Sequence, residues 1–343
     1  VSDRRSGPPP DPSRRLAPVV RLAPAKLNLT LAILGRRPDG FHTLHSVIVP
    51  LALADRLSLA VAASGGDTLR VEGFDPGPTP DNLVLRAIAA AREAVVRTRH
   101  VAPPLAARLD KRIPVAAGLG GGSSDGAAAL DGACEVWGVT LDGTARAAIA
   151  ASLGSDVPFF LAGGTALVEG RGERVTVLRG IVGEPAGVLV VTPAIALPTP
   201  VVFAAFGAGY AAAPPAPGAT RLTSEHLAAE LRSGLRATDL VARAGALASA
   251  NDLSAAAAVV VPALVPFRRA LIRLLGRPVG LSGSGPSLWS LYPSGAAAEV
   301  AAGEVRSAAA DGRLPAAGDG PPFVAATTIA VGGPPAEADR RQG

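Results

Sequence analysis

The run Ile113-Pro-Val-Ala-Ala-Gly-Leu-Gly-Gly-Gly-Ser-Ser-Asp125 constrains the chain more than any other stretch. Gly118, Gly120, Gly121 and Gly122 lead into Ser123 and Ser124, and an Ala-rich segment reading as a helix from about 123 to 137 follows. Glycines let a backbone approach an anion and turn successive N–H groups toward it. A helix starting behind the loop adds its dipole and its unpaired N–H groups. Ser123 or Ser124 can cap that helix or offer a hydroxyl to a phosphate. The run therefore predicts a phosphate cradle, with a plain glycine-rich connector as the bland alternative. A Walker A loop is excluded because Gly122 stands where the lysine would be. A dinucleotide fingerprint from Gly118 fails because residue 123 is serine.

Charge narrows the partners. The formal net charge is +5, but Arg4, Arg5, Arg14, Arg15 and Arg21 against Asp3 and Asp11 place much of it near the N-terminus. Nucleic-acid binding would call for a basic stripe with interleaved aromatics, and none is visible. Among the basic residues only Lys26 and Lys111 are lysines. A lysine kept in so arginine-rich a chain suggests a need for a compact point charge instead of a planar fork. The single cysteine, Cys134, excludes an intramolecular disulfide and a multi-thiolate metal cluster. No apolar run is long enough to predict a membrane span, and the beginning of the sequence has no secretory pattern. A cytoplasmic location is the expectation.

Periodicity and breakers predict β-rich segments at 19–34 and 45–61 about a turn at 35–40, then a helix at 81–99 capped by Asp81. A strand at 105–110 leads into the glycine loop. Helices follow near 142–152 and 156–162, then a hairpin over 163–178 and a strand at 187–192. Further helices are expected near 199–206, 223–235 and 238–258, with a flexible linker at 207–220. A strand–turn–strand at 279–292, a helix near 296–309 and a strand at 323–331 close the chain. Strands and helices without strict alternation argue for an α+β fold in two domains, 19–178 and 179–332. The Pro- and Arg-rich tails 1–18 and 333–343 read as disordered.

Four features gather around the loop. Lys26 and Asn28 lie two residues apart on one strand face, suited to a substrate phosphate or hydroxyl. Asp156, before Val-Pro, reads equally as a helix N-cap or as a carboxylate that orients a hydroxyl and accepts its proton. Phe41 and His42, in Arg36-Arg37-Pro-Asp-Gly-Phe-His42, offer a ring to stack on a base and an imidazole for its edge, and Phe203 is a second ring. Ser282-Gly-Ser-Gly285 is a second glycine turn. Aspartate, lysine, a phosphate loop and Mg²⁺ suffice for phosphoryl transfer.

Pro24-Ala-Lys26-Leu-Asn28, Pro114 through Ser124 and Ser282 through Gly285 together resemble the three motifs of the GHMP kinase superfamily, over about residues 22–331. GRRPDGFHTL, DNLVLRA, LGSDVPFFLAGGTALVEGRGE and PTPVVF look like its diphosphocytidyl-methylerythritol kinase family. The resemblance implies a ribosomal protein S5 domain 2-like N-terminal domain that binds ATP and a ferredoxin-like C-terminal substrate domain. It implies transfer of the ATP γ-phosphate to the 2-hydroxyl of a cytidine-diphosphate methylerythritol in non-mevalonate isoprenoid synthesis. Lys26 and Asp156 would be catalytic. Asn82, Leu83, Lys111, Pro114, Val115, Ala116, Ala117, Gly118, Leu119, Gly120, Gly121, Gly122, Ser123 and Ser124 would bind ATP. Asn28, Phe41, His42, Thr199 and Phe203 would bind the substrate. Mg²⁺ would be held through the phosphates, with Ser124 a candidate ligand, and the enzyme would be a monomer or homodimer without nucleic-acid or membrane partners. The competing readings are a homoserine- or mevalonate-type kinase of the superfamily and an inactive regulator of the same fold. Asp125 departs from the family's common asparagine, placing a carboxylate near the phosphates unless it turns away or meets Mg²⁺. Phe41 replaces a frequent tyrosine.

Overall fold

The computed structural model describes residues 17–78, 81–212 and 218–331. The predicted disorder of residues 1–16 and 333–343, and the middle of the predicted linker, lie outside them. In chain order the elements are β1 (Val19–Asn28), β2 (Ala32–Arg36), β3 (His42–Val61), β4 (Thr68–Gly73), α1 (Leu83–Arg97), β5 (Leu105–Lys111), α2 (Gly121–Trp137), α3 (Gly143–Leu153), α4 (Val157–Ala162), β6 (Ala166–Gly170) and β7 (Arg174–Val177). They continue with β8 (Ile181–Val182), β9 (Gly187–Thr192), α5 (Thr199–Ala212), α6 (Ala219–Ser233), β10 (Leu235–Arg236), α7 (Ala237–Ala242), α8 (Ala244–Ser249), α9 (Ser254–Val260), α10 (Leu264–Leu275), β11 (Gly280–Leu281), β12 (Leu288–Tyr292), α11 (Gly295–Ala310) and β13 (Phe323–Thr328).

The first sheet is built on the long strand β3. It runs β4-β5-β3-β6-β7, and β1 and β2 also pair antiparallel with β3. The second is an antiparallel sheet in the order β11-β12-β9-β13, and β8 and β10 form a small parallel pair. Helices α1 to α4 bury an Ala/Leu/Val core against β3 and β5, where Leu57, Leu59, Leu105 and Leu109 are fully enclosed. A second core joins the two sheets, with Ala25, Leu27 and Val49 of the first meeting Val188, Val190 and Trp289 of the second. With both faces of β9 buried, its sequence GVLVVT is apolar up to the closing Thr192, whose hydroxyl pairs with that of Ser287.

Several expectations need correction. Helix α1 is capped by Asn82, whose side chain accepts the Val84 N–H at 2.9 Å; Asp81 lies outside the helix. Helix α2 begins at Gly121, not 123, with left-handed Gly120 as its cap, so neither Ser123 nor Ser124 caps it. The segment 207–212 is helical and α6 starts at 219, which replaces both ends of the predicted linker with helix. The helix expected over 238–258 is three short helices. Asn251 explains the last break: its amide donates to the carbonyls of Leu281 and Gly283 at 2.9 Å each and its oxygen accepts the Leu253 N–H. The sequence reading had no counterpart for α10.

Candidate active site

The glycine loop is fastened from both sides. The Lys26 N–H donates to the Leu119 carbonyl at 2.8 Å, tying the loop to β1. The Ser282 hydroxyl donates to the Gly118 carbonyl at 3.0 Å, and the Ser287 N–H to the Ala117 carbonyl at 3.2 Å. The two glycine-rich segments of the sequence thus lie back to back. Gly118 (φ +75°) leaves no room for a side chain, since a Cβ there would sit 2.4 Å from the Ser282 carbonyl oxygen. Gly120 (φ +70°) would place one 2.8 Å from Lys26 Cγ and 2.9 Å from Phe160 Cζ. Positive φ is costly for any residue with a Cβ.

Lys26 and Asn28 share a strand face, as alternation requires, with the buried Ala25 and Leu27 on the other. The Lys26 ammonium donates to the Asn28 side-chain oxygen, and the Asn28 amide donates to Ser46 Oγ at 2.9 Å. Asp156 brings an oxygen to 3.8 Å from that ammonium. Asp156 occupies the N-cap position of α4, but its side chain makes no capping hydrogen bond. The capping alternative therefore fails, and the carboxylate faces the lysine. Burial lowers the Lys26 pKa from the ordinary lysine value, while the Asp156 charge opposes that shift.

Beneath the loop lies a buried charge cluster that sequence reading found only in part. Strand β5 alternates Leu105, Ala107, Leu109, Lys111 inward, which carries Lys111 into the interior at its end. Its ammonium pairs with Asp55 of β3 and with Asp125 of α2, the latter at 2.9 Å. Asp55 also accepts the N–H groups of Arg112 (2.6 Å) and Ile113 (2.8 Å), which hold the chain entering the loop. Asp125 meets Lys111 and leaves its other oxygen without a hydrogen-bond partner. Burial and the neighbouring Asp55 push its pKa up to about 7 against the pull of Lys111. The signal for Asp55 was a lone aspartate in the apolar run LALADRLSLA.

All of this opens into one cleft of about 1120 Å³. It gathers Lys26, Asn28, Asn82, Leu83, Lys111 and Asp156 with Pro114, Val115, Ala116, Ala117, Gly118, Gly120, Gly121, Gly122 and Ser123 of the loop. Phe41, His42, Thr199 and Phe203 line it as well. Two expected residues do not: Leu119 is buried in the core, and Ser124 is 1% exposed with its hydroxyl unpartnered inside the protein. Ser123 is the serine that lines the cleft.

Phe41 is half exposed, with the Arg171 guanidinium over its ring at 5.2 Å. His42 packs on Phe203 with ring centroids 5.1 Å apart and meets Phe206 edge-on. Burial, with the Arg36 charge, lowers the His42 pKa, which favours the neutral imidazole, a donor at one nitrogen and an acceptor at the other. Thr199 and Ser284 join hydroxyls at 2.8 Å, linking α5 to the second glycine turn. Arg36, Arg171, Ser155, Gly283 and Asp125 also line the cleft and were not singled out as site residues. Arginine is too common in this chain to stand out.

Among the described residues no three His, Cys, Asp or Glu side chains gather as a metal site. Oxygen donors that line the cleft and could meet a divalent cation include the Asp156 carboxylate, the free oxygen of Asp125 and the Ser123 hydroxyl. That set fits Mg²⁺ carried mainly by phosphate oxygens, the usual arrangement for this ion. No helix among the described residues is long and apolar enough to cross a membrane.

Comparison with known proteins agrees with the geometry. The GHMP kinases N-terminal domain family matches residues 82–164. The chain is 37% identical over 273 residues to a 4-diphosphocytidyl-2-C-methyl-D-erythritol kinase of Pelotomaculum thermopropionicum, covering 80% of this chain and 88% of the relative. A crystal structure of a 4-(cytidine 5'-diphospho)-2C-methyl-D-erythritol kinase superposes with a TM-score of 0.62 at 30% identity, covering 90% of this chain and 99% of that one. A homoserine kinase from Cytophaga hutchinsonii superposes with a TM-score of 0.63 at 16% identity, over 92% of this chain and 95% of that one; it shares the fold.

Proposed function

The chain belongs to the 4-diphosphocytidyl-2-C-methyl-D-erythritol kinase family of the GHMP kinases, and from that premise we propose how its cleft transfers the γ-phosphate of ATP to the 2-hydroxyl of 4-diphosphocytidyl-2-C-methyl-D-erythritol. The observation that carries the mechanism is the Lys26–Asp156 pair, 3.8 Å apart beside the glycine loop. The N–H groups at the start of α2 and the bare backbone of Gly120 to Gly122 take the triphosphate. Lys26 offsets charge on the transferring group, and Asn28 and Ser46 hold that ammonium in place. Asp156 orients the acceptor hydroxyl and takes its proton as the new P–O bond forms and the bond to the β-phosphate oxygen breaks, releasing ADP. Mg²⁺ held by the phosphates, within reach of Ser123 and Asp156, would neutralise their charge.

Phe41, His42 and Phe203 are the proposed cytosine site, with Thr199 at its edge. Asn82, Leu83 and Lys111 are the proposed nucleoside side of the ATP site. In this structure the Lys111 charge is shared by two carboxylates, so its proposed contribution is to shape the pocket wall. The proposed domains, 19–178 and 179–332, are supported by the first sheet ending at Val177 and the second beginning at Gly187. Dependence on ATP supports a cytoplasmic location.

ADP release with the cytidine-diphosphate methylerythritol, homoserine and mevalonate as separate acceptors tests this reading. Turnover with the first alone is expected. Turnover only with another acceptor would move the chain to a different GHMP specificity, and ATP binding without turnover would point to a regulator.

A further inference from the structure

A second cavity, of about 310 Å³, shares no lining residue with the cleft. It lies between α9, α10 and the β11–β12 hairpin. Ala258, Leu264, Val265, Ile272, Leu281 and Leu288 make it apolar, and Arg268 and Arg269 stand at its wall. Its volume is at the lower end for small-molecule pockets, about 300–1,000 Å³.

Its surroundings carry charge of one sign. From residue 253 to 298 the sequence contains Arg268, Arg269, Arg273 and Arg277 and no aspartate, glutamate or lysine. Among the described residues none of these four arginines forms an ion pair with a carboxylate, so the charge along this stretch is of one sign and uncompensated. Arg277 instead lies over the Tyr292 ring. Arg268 is half-buried. It spends Nε on the Val279 carbonyl at 2.7 Å and Nη2 on the Ala248 carbonyl at 2.9 Å, so its positive charge has no counter-ion. Burial lowers its pKa accordingly. Arg269, the next residue, is exposed. An apolar chamber bordered by uncompensated guanidiniums matches a ligand with an apolar tail and an anionic head.

We propose that this cavity is a second ligand site, binding a small amphipathic anion: a short hydrocarbon chain seated on Ala258, Leu264, Val265 and Ile272, above the buried Leu281 and Leu288, ending in a phosphate or carboxylate at Arg268 and Arg269. The pocket is half open and small, a size that fits one short chain, and the vesicle arm of the test separates that from a membrane surface. Position gives the site a route to the cleft. Leu281 directly precedes Ser282, whose hydroxyl holds the Gly118 carbonyl, and Asn251 clamps the Leu281 and Gly283 carbonyls. A ligand pressing on Leu281 therefore pushes on the turn that supports the phosphate loop.

Titration calorimetry of the full chain with octyl phosphate tests the site, with ADP at saturation to keep the probe off the glycine loop. One octyl phosphate should bind per chain. Octanol and inorganic phosphate, each carrying half of the chemistry, should bind at least ~10-fold more weakly, octanol for want of the charge-assisted contact and phosphate for want of the buried chain. Arg269→Gln should weaken octyl phosphate by about 10-fold for the same reason. Ala258→Phe, which fills the chamber, should abolish binding while ADP release continues. Equal affinity in Arg269→Gln would overturn the proposal, as would displacement by ADP, binding only above the aggregation threshold of the probe, or binding confined to anionic vesicles. If Ala258→Phe fails to fold, the Arg269→Gln comparison decides. Octanoate run beside octyl phosphate distinguishes a carboxylate ligand from a phosphate one.

Discussion

Replacing Gly120 with alanine separates the loop's shape from its charge. Gly120 sits at φ +70°, where a Cβ costs about 1–2 kcal/mol. The new methyl would be wedged between Lys26 Cγ at 2.8 Å and Phe160 Cζ at 2.9 Å. Carbon atoms settle at about 3.5 Å or more, so Lys26 must yield by about 0.7 Å if it takes the whole displacement. A 1 Å misplacement of a reacting group can cost about 100-fold in rate. Gly120→Ala should therefore lower kcat for ADP release by up to about 100-fold, while the strain itself costs only about 1–3 °C in Tm for a chain of this size. Gly122→Ala is the control: its Cβ meets only Leu83 Cδ1 at 3.8 Å, inside helix α2, so the protein should be no less stable than the parent. Steady-state kinetics beside thermal melts checks both. A Gly120→Ala protein with near-normal kcat would refute the inference that the close approach of Gly120 to Lys26 matters for transfer.

Phe41→Ala should raise KM for the cytidylyl substrate with kcat largely kept, by the roughly 5- to 150-fold that about 1–3 kcal/mol of base stacking represents. The ring is half exposed, so Tm should hardly move; an unchanged KM would remove Phe41 from the base site. Asp125→Asn should change the pH dependence of stability. A carboxyl whose pKa rises to about 7 on folding binds more protons folded than unfolded, so its contribution is full below about pH 4 and is lost as pH rises through 7. Melts across pH 5 to 8 should show the asparagine variant gaining on the parent as pH rises; parallel curves would contradict the burial argument.

The sheets and the cleft were legible where periodicity or glycine chemistry acts locally. Lys26 and Asn28 two apart on a strand, the αL glycines of the loop, and the strand–turn–strand at 279–292 all needed only the backbone's own geometry. The start of α2 was misplaced because Gly121 and Gly122 are poor helix formers, and tertiary fastening of the loop to Lys26 and Ser282 overrides that weak preference. The break at Asn251 escaped notice because its partners, the Leu281 and Gly283 carbonyls, lie thirty or more residues away. Leu119 and Ser124 were assigned to the ligand with the rest of the motif, yet the loop packs Leu119 into the core and the first turn of α2 points Ser124 inward. Asp55 is a long-range partner: nothing near it in the chain announces Lys111.

The central claim is that the Asp156 carboxylate serves the reacting hydroxyl instead of the fold. The most direct measurement is the single-turnover rate of phosphoryl transfer in Asp156→Asn, with ATP affinity measured on the same protein. The rate should fall by about 100- to 10,000-fold, the usual worth of a positioned acid–base group, with ATP affinity and Tm near those of the parent. A transfer rate within about threefold of the parent, a difference under 1 kcal/mol in barrier, would contradict that claim.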